Sequence, residues 1–221
     1  MASPIDTSSQ TNEMLEQTEL GHTIAKYKVP FIAIIALIIV GVIGYGFYTT
    51  QKEKTEQAYA VAIYQFDKST FGDLTEGKLK IAPYLDKFNL LSKDVSYFKG
   101  LFPLLIKTVD HLISKKEYGT ADTLLNEFKP HLDNSAMTFL VNSRHAVILE
   151  NSGKAKEAID VLEGMIKSGQ KMMESKVYFD LGRLYLTVND KQKAKTNLQY
   201  AIDNTTDDNL KKLAQVYLGE I

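Results

Sequence analysis

The sequence predicts an all-helical protein, with one membrane-spanning helix near the N-terminus followed by an array of helix hairpins. An uncharged and strongly apolar run occupies residues 29–50. Behind it, apolar residues recur at positions i, i+3, i+4 and i+7, the spacing of one helix face, and no strand-like alternation is found. The 221 residues are enough for such an anchor and one ordinary domain.

Composition excludes several classes of function. The chain has 26 basic and 27 acidic side chains, so no charge excess points to nucleic acid. It has no cysteine, which rules out disulfides, thiolate nucleophiles and thiolate metal sites.

Residues 1–28 form a short polar tail. Residues 1–12 are rich in Ser and Thr without a hydrophobic period, which predicts disorder. Met14, Leu15 and Leu20 alternate with acidic residues and are compatible with a short helix on a membrane surface.

Residues 29–50 are interpreted as an uncleaved signal anchor. The most apolar part, Val29–Tyr48, is 20 residues long and spans about 30 Å as a helix, the thickness of a bilayer core. A buried core helix and a cleaved signal peptide are the alternatives. The run lies too far from the start for a signal peptide, and bulky Tyr45 and Phe47 end it. Two lysines flank each end, so charge alone does not set the orientation. A short tail before the span and a long domain after it predict a cytoplasmic N-terminus.

Residues 51–221 are predicted to form helices joined by short turns. Turn-forming residues cluster at eight places, which we take as helix breaks: Ser69–Asp73, Asn89–Asp94, Lys115–Glu117, Asp133–Ser135, Asn151–Lys154, Ser168–Gln170, Asn189–Lys191 and Asn204–Asp208.

The segment 175–208 is similar to a tetratricopeptide repeat. It carries an aromatic residue, Leu-Gly, Tyr, and then two alanines around a large apolar residue: Tyr178, Leu181, Gly182, Tyr185, Ala194, Leu198 and Ala201. Small residues at 182 and 194 predict close contact between the two helices of a hairpin. Asn189 stands where such a turn usually has Gly, and Asn tolerates the left-handed conformation.

Two weaker repeats precede this one. The alanines equivalent to Ala194 are Ala121 and Ala158, at spacings slightly above the usual 34 residues of this repeat. Residues 51–68 and 74–88 are expected to form a degenerate hairpin that continues from the anchor. Residues 209–221 are expected to form a cap helix, with Asp207-Asp208 at its N-terminus.

Repeats of this type present a concave surface lined by the first helix of each hairpin. The repeat pattern places seven residues on that surface as a candidate groove for a peptide or protein partner: Ile106, Asp110, Ser143, Val147, Lys176, Phe179 and Arg183. This mixture of apolar and charged positions suits a helix or an extended peptide better than a small charged ligand.

The sequence offers no support for catalysis. The four histidines, His22, His111, His131 and His145, have no metal-ligand spacing. No nucleophile elbow, phosphate-binding loop or dinucleotide fingerprint is found. We therefore expect a non-enzymatic protein without a cofactor, metal or small-molecule substrate.

The whole layout resembles the bacterial ancillary Sec-translocon subunit family, the YfgM-like proteins. Three stretches carry the resemblance: TIAKYKVPFIAIIALIIVGVIGYGFYTTQ, IAPYLDKFN, and VYFDLGRLYLTVNDKQKAKTNLQYAI followed by LKKLAQVYLGEI. The resemblance covers most of the chain, from the lysines before the span to Ile221.

The resemblance implies a single-pass protein of the inner membrane with its repeat domain in the periplasm. The partners it implies are the SecYEG translocon and a membrane-anchored, prolyl-isomerase-like chaperone. Its function would be that of a chaperone or adaptor for newly exported proteins. The alternative from the residues themselves is a structural scaffold for another envelope complex, such as secretion or motility machinery.

Overall fold

The computed structural model describes residues 28–169 and 171–221, so the interpretations of residues 1–27 lie outside it. Helix α1, Lys28–Phe66, contains the apolar run. A stretch within it has a mean hydropathy of 2.3, and none of its residues is buried by the rest of the chain. This helix is long and apolar enough to cross a membrane.

After α1 the chain stays helical longer than the sequence predicts. A π-helical turn, Asp67–Phe71, leads directly into the short helix α2, Gly72–Thr75. The predicted break at Ser69–Asp73 is therefore wrong, and the chain turns instead after Thr75, where Gly77 has a φ of +75°. Phe71 and Leu74 pack into the core, and their burial outweighs the weak helix propensity of Ser69, Thr70 and Gly72.

The predicted break at Asn89–Asp94 is also wrong. Helix α3, Ile81–Asp94, runs through it because one face of its C-terminal part is buried: Ser92 is fully buried and donates a hydrogen bond to the Phe88 carbonyl at 2.8 Å. The helix ends at Asp94, and Ser96 and Tyr97, which adopt positive φ, prevent it from continuing.

The remaining helices end next to or within the predicted breaks, except α5, whose last residue is Phe128, before the predicted break at Asp133–Ser135. A 3₁₀ turn, Lys99–Leu101, precedes α4, and a second one, Lys129–His131, follows α5. The helices are α4 (Phe102–Ser114), α5 (Tyr118–Phe128), α6 (Ser135–Asn151), α7 (Ala155–Lys167), α8 (Glu174–Thr187), α9 (Lys191–Asn204) and α10 (Asp208–Gly219). They make three hairpins, α4/α5, α6/α7 and α8/α9, and a final helix whose N-cap is Asp207.

The three hairpin turns have the same backbone geometry. Lys116, Gly153 and Asn189 adopt φ values of +62°, +76° and +61°. In each turn this residue donates its N–H to the carbonyl three residues earlier, and the next residue donates to the carbonyl five residues earlier. This is the hydrogen-bonding pattern of an α-helix that ends in a residue with left-handed backbone conformation. The expectation that Asn189 replaces Gly in such a turn is confirmed.

Gly182 is the point of closest contact within the last hairpin. A Cβ on Gly182 would lie 2.6 Å from Leu198 Cγ and 3.1 Å from the Leu198 backbone nitrogen. Ala194 and Ala201 on α9 are fully buried. The small residues of the sequence pattern therefore stand where α8 and α9 approach each other.

The predicted fold class is confirmed. The described residues contain helices and no strand, and the region from Tyr59 to Ile221 forms one compact unit. Its core consists of three hydrophobic clusters: one around Tyr84, one within the hairpins α6/α7 and α8/α9, and one where α8, α9 and α10 meet at Ala214.

Candidate peptide-binding groove

The first helices of the three hairpins, α4, α6 and α8, line a groove of about 320 Å³. This is near the lower end of the usual range for ligand pockets, about 300–1,000 Å³. Its lining residues are Asp110, Ile113, Phe139, Leu140, Ser143, Arg144, Val147, Leu162, Met173, Lys176, Val177 and Asp180.

The groove is apolar at its base. Phe139, Leu162 and Val177 are almost fully buried there, so they are held by the core and give a rigid surface. Above them, Val147 is 39% exposed and Met173 is 57% exposed. These two side chains, with the half-buried Ile113 and Leu140, are the apolar surface that a ligand could cover.

The four charged side chains of the groove are neutralised within the protein. Arg144 makes two hydrogen bonds to the Asp110 carboxylate, at 3.0 and 3.1 Å. Lys176 donates to Asp180 Oδ2 at 2.8 Å, one helical turn along α8. A charged ligand would have to compete with the existing partner for the half-exposed charge of Asp110 or Lys176, whereas an apolar ligand would not.

A third ion pair lies beyond the groove lining, further along the same helices. Arg183 on α8 makes two hydrogen bonds to Glu150 on α6. Both side chains are about three-quarters buried, and these bonds raise the pKa of Arg183. Removing Arg183 would leave the mostly buried Glu150 without this cation, and removing Glu150 would leave Arg183 with only the longer contact to Asp180 at 3.9 Å, so the pair favours the packing of α6 against α8.

The structure brings four of the seven sequence-predicted residues together: Asp110, Ser143, Val147 and Lys176 all line the groove. Ile106 lies one turn before Asp110, half-buried and outside the lining. Arg183 is also outside the lining, where it is engaged with Glu150.

Phe179 does not face the groove. It is only 5% exposed and packs against the Tyr217 ring of α10, with 5.6 Å between ring centroids. The reason is that α10 packs onto α8 as the first helix of a further repeat would, and so covers this face of α8.

Sequence reasoning missed the partners of the charged residues. Arg144 lies 34 residues after Asp110, and Arg183 lies 33 residues after Glu150. Opposite charges one repeat apart on successive first helices are a usable signal, because such positions are neighbours in a stacked array. No comparable signal marks Met173, which reaches the groove through a left-handed backbone.

A larger cavity of about 780 Å³ lies between the starts of α8 and α10 and the end of α9. Most of its lining residues have polar side chains, including Ser175, Asn204, Thr206 and Asn209. Asp207, also in the lining, accepts from the backbone N–H groups of Asn209 and Leu210 as the cap of α10. Its polarity makes this cavity a weaker candidate for a peptide than the groove.

The other polar contacts of the hairpins hold helices together. Tyr185 on α8 donates to Glu163 on α7, and this bond, with a second from Lys167, lowers the pKa of Glu163. His145 Nε2 lies 3.1 Å from Asp122, yet burial, aided by Lys129, lowers the pKa of His145. Within residues 28–169 and 171–221, no group of three or more His, Asp or Glu side chains is arranged to hold a metal ion.

Comparisons of the chain with protein-family models, with curated proteins and with solved structures returned no match.

Proposed function

We propose that this protein is a membrane-anchored protein-binding module whose α4/α6/α8 groove holds an uncharged, apolar segment of another polypeptide. The observation that carries the proposal is the pairing of all four charged groove residues around the exposed Val147 and Met173. Affinity would come from covering apolar surface, worth about 25 cal/mol per Å² removed from water.

Unfolded or newly exported chains present such segments, and folded proteins bury them. A groove of this kind near a membrane therefore suits a chaperone or adaptor that holds exported polypeptides. This agrees with the function implied by the resemblance to ancillary Sec-translocon subunits.

Binding can be tested with a short, uncharged peptide rich in Leu and Phe, and with a counterpart that has Ser at those positions. The full-length protein in mild detergent should bind the first and not the second. Its affinity should change little with salt, because the groove charges are already paired. Strong salt dependence would contradict the proposed mode of recognition.

A matched pair of variants locates the site. Val147→Lys puts a charge into the groove, and the affinity should fall at least about tenfold, or about 1.4 kcal/mol. Val216→Lys makes the same change at a valine that is 60% exposed on α10, outside the groove. Equal effects of the two substitutions would mean that the peptide does not use the groove.

For the membrane, we propose that α1 is inserted with the N-terminus in the cytoplasm and the hairpins on the far side. The absence of cysteine makes this testable with single substitutions. Val216→Cys should react with a membrane-impermeant maleimide in bacterial cells whose outer membrane has been permeabilised. Ser8→Cys should react only after lysis, and the reverse pattern would exclude this orientation.

The partners are tested by a mild-detergent pull-down of the full-length protein from a bacterial membrane. Recovery of the Sec channel with a membrane-anchored chaperone supports the adaptor function. Recovery of another envelope complex without Sec components favours a structural scaffold instead.

A further inference from the structure

Sulfur in this chain occurs only in methionine. The sequence has six methionines and no cysteine. Among those whose surroundings the structure describes, Met165 is 3% exposed and Met137 is half-buried. Met172 and Met173 are 39% and 57% exposed, and they are adjacent in the connection before α8.

Met173 has an unusual position. Its backbone lies in the left-handed region, with a φ of +49°, which a residue with a side chain adopts rarely. Its carbonyl accepts the first hydrogen bonds of α8, from the N–H groups of Lys176 and Val177 at 2.9 and 3.1 Å. The residue is thus held at the start of the helix.

Met173 also borders two cavities, the peptide-binding groove and the larger polar cavity at the end of the array. Met172 borders neither of them and lines a third cavity, beside Thr138 and Ser168. Of these two neighbouring, exposed methionines, Met173 contacts the groove and Met172 does not, so Met172 can serve as a control for Met173.

We propose that Met172 and Met173 are an oxidation site for hydrogen peroxide, and that the sulfoxide of Met173 closes the groove to apolar segments. The inference rests on the proposed peptide-binding function. A sulfur lone pair attacks one peroxide oxygen, the O–O bond breaks and an S–O bond forms. The transferred oxygen gives up its proton as the sulfoxide forms, and the second oxygen leaves as hydroxide and takes up that proton to become water. Sulfur loses two electrons and peroxide gains them.

The consequence follows from the polarity of the product. A thioether is apolar and adaptable, whereas a sulfoxide is polar and retains its water. At Met173 the sulfoxide would replace part of the apolar surface that a ligand must cover. An apolar segment offers no hydrogen-bond donor to the new oxygen. At Met172 the same change lies outside the groove. Because methionine sulfoxide is reduced by dedicated reductases, the change is reversible.

The first measurement is the rate of oxidation of each methionine, from peptide mapping by mass spectrometry of the full-length protein treated with hydrogen peroxide. Met172 and Met173 should oxidise at least about tenfold faster than buried Met165, because oxidation follows access. Similar rates at all three positions would overturn the assignment of the site.

The second measurement is binding of the Leu- and Phe-rich peptide before and after peroxide, with each protein compared with itself. The wild-type protein should lose at least about fivefold in affinity and regain it with methionine sulfoxide reductase. The ratio of the affinity after peroxide to the affinity before it should stay near one in Met173→Leu. In Met172→Leu, the matched control, this ratio should fall as it does in the wild-type protein.

Three results overturn the inference in distinguishable ways. Unchanged binding by an oxidised wild-type protein refutes the closing of the groove and leaves the proposed function standing. An equal loss in Met173→Leu assigns the effect to another residue. An untreated protein that does not bind the peptide refutes the proposed function and the inference together.

Discussion

In the segment from Tyr59 to Leu101 the helices pack through a cluster of large rings, whereas α8 and α9 approach each other most closely at a small residue, Gly182, with a single ring pair, Tyr178 and Tyr200, between them. Phe66 and Phe71 contact the buried Tyr84, with 5.6 and 6.0 Å between ring centroids. Tyr84 also shares a buried hydrogen bond of 2.6 Å with Thr108 on α4. In the last hairpin, the contact between Gly182 and Leu198 leaves no room for even a methyl group.

The difference explains why one region is recognisable and the other is not. Close contact requires a small residue at one position of each helix, so it produces a fixed spacing in the sequence. Large side chains fill space from many positions and angles, so ring packing leaves no fixed spacing. The two kinds of contact can be changed separately, and their effects on stability compared.

The largest effect is expected in the ring-packed region. Phe88 is fully buried among aromatic side chains, so Phe88→Ala should lower the free energy of unfolding by about 3–5 kcal/mol. Leu90→Ala, on the same helix at a side chain that is 63% exposed, should change it by less than about 0.5 kcal/mol. Urea unfolding of the full-length protein, followed by circular dichroism, measures both.

The next effect tests the small-residue contact. Gly182→Ala should destabilise the protein by about 1–3 kcal/mol, because the new methyl group must displace Leu198 and part of its backbone. Gly164→Ala on α7 is the control, since its Cβ would meet no atom within 4 Å. There the gain in helix propensity should stabilise by about 0.5–1 kcal/mol. If both substitutions stabilise the protein, α8 and α9 do not approach as closely as described.

A smaller effect tests whether the three hairpin turns are equivalent. Lys116→Gly should stabilise by about 1 kcal/mol, because Gly adopts the positive φ of this position without strain. Gly153→Ala, at the same place in the next hairpin, should destabilise by about the same amount. Thermal melting of both variants checks the pair, and changes of the same sign would show that the two turns differ.

The smallest effect is a pH dependence at the boundary between hairpins. Burial, the largest cause, lowers the pKa of His145 below 6.5, and the nearby cations Lys129 and Lys154 act in the same direction. Asp122 and Glu157 oppose them. The unfolded chain therefore takes up a proton more readily, and stability should fall as the pH drops below about 6.5 towards the folded pKa.

His145→Gln should make this pH dependence shallower, which urea midpoints at about pH 7.5 and about pH 5.5 would show. His111, which packs edge-on against Phe71 and whose pKa is lowered mainly by burial, should account for part of the remaining slope. An unchanged slope in His145→Gln would mean that this histidine is equally easy to protonate in the folded and unfolded states.

The sequence predicted the hairpins well and the groove in part. Turn residues and small residues are local requirements, so the roles of Gly153, Asn189 and Gly182 follow from the order of residues alone. Lys176 and Val147 followed from the repeat register. Phe179 did not, because its face of α8 is covered by α10, and the register of a helix does not show what packs against it.

The sequence by itself therefore determined the apolar helix, the three hairpin turns and the helix positions that require a small residue. Each depends on backbone conformation, length or direct contact between neighbouring helices. Only the tertiary structure decided where α2 and α3 give way to turns, which charges pair across hairpins, and that Met173 borders the groove. Those outcomes depend on burial by residues distant in the chain, and burial can outweigh the local preferences that a sequence displays.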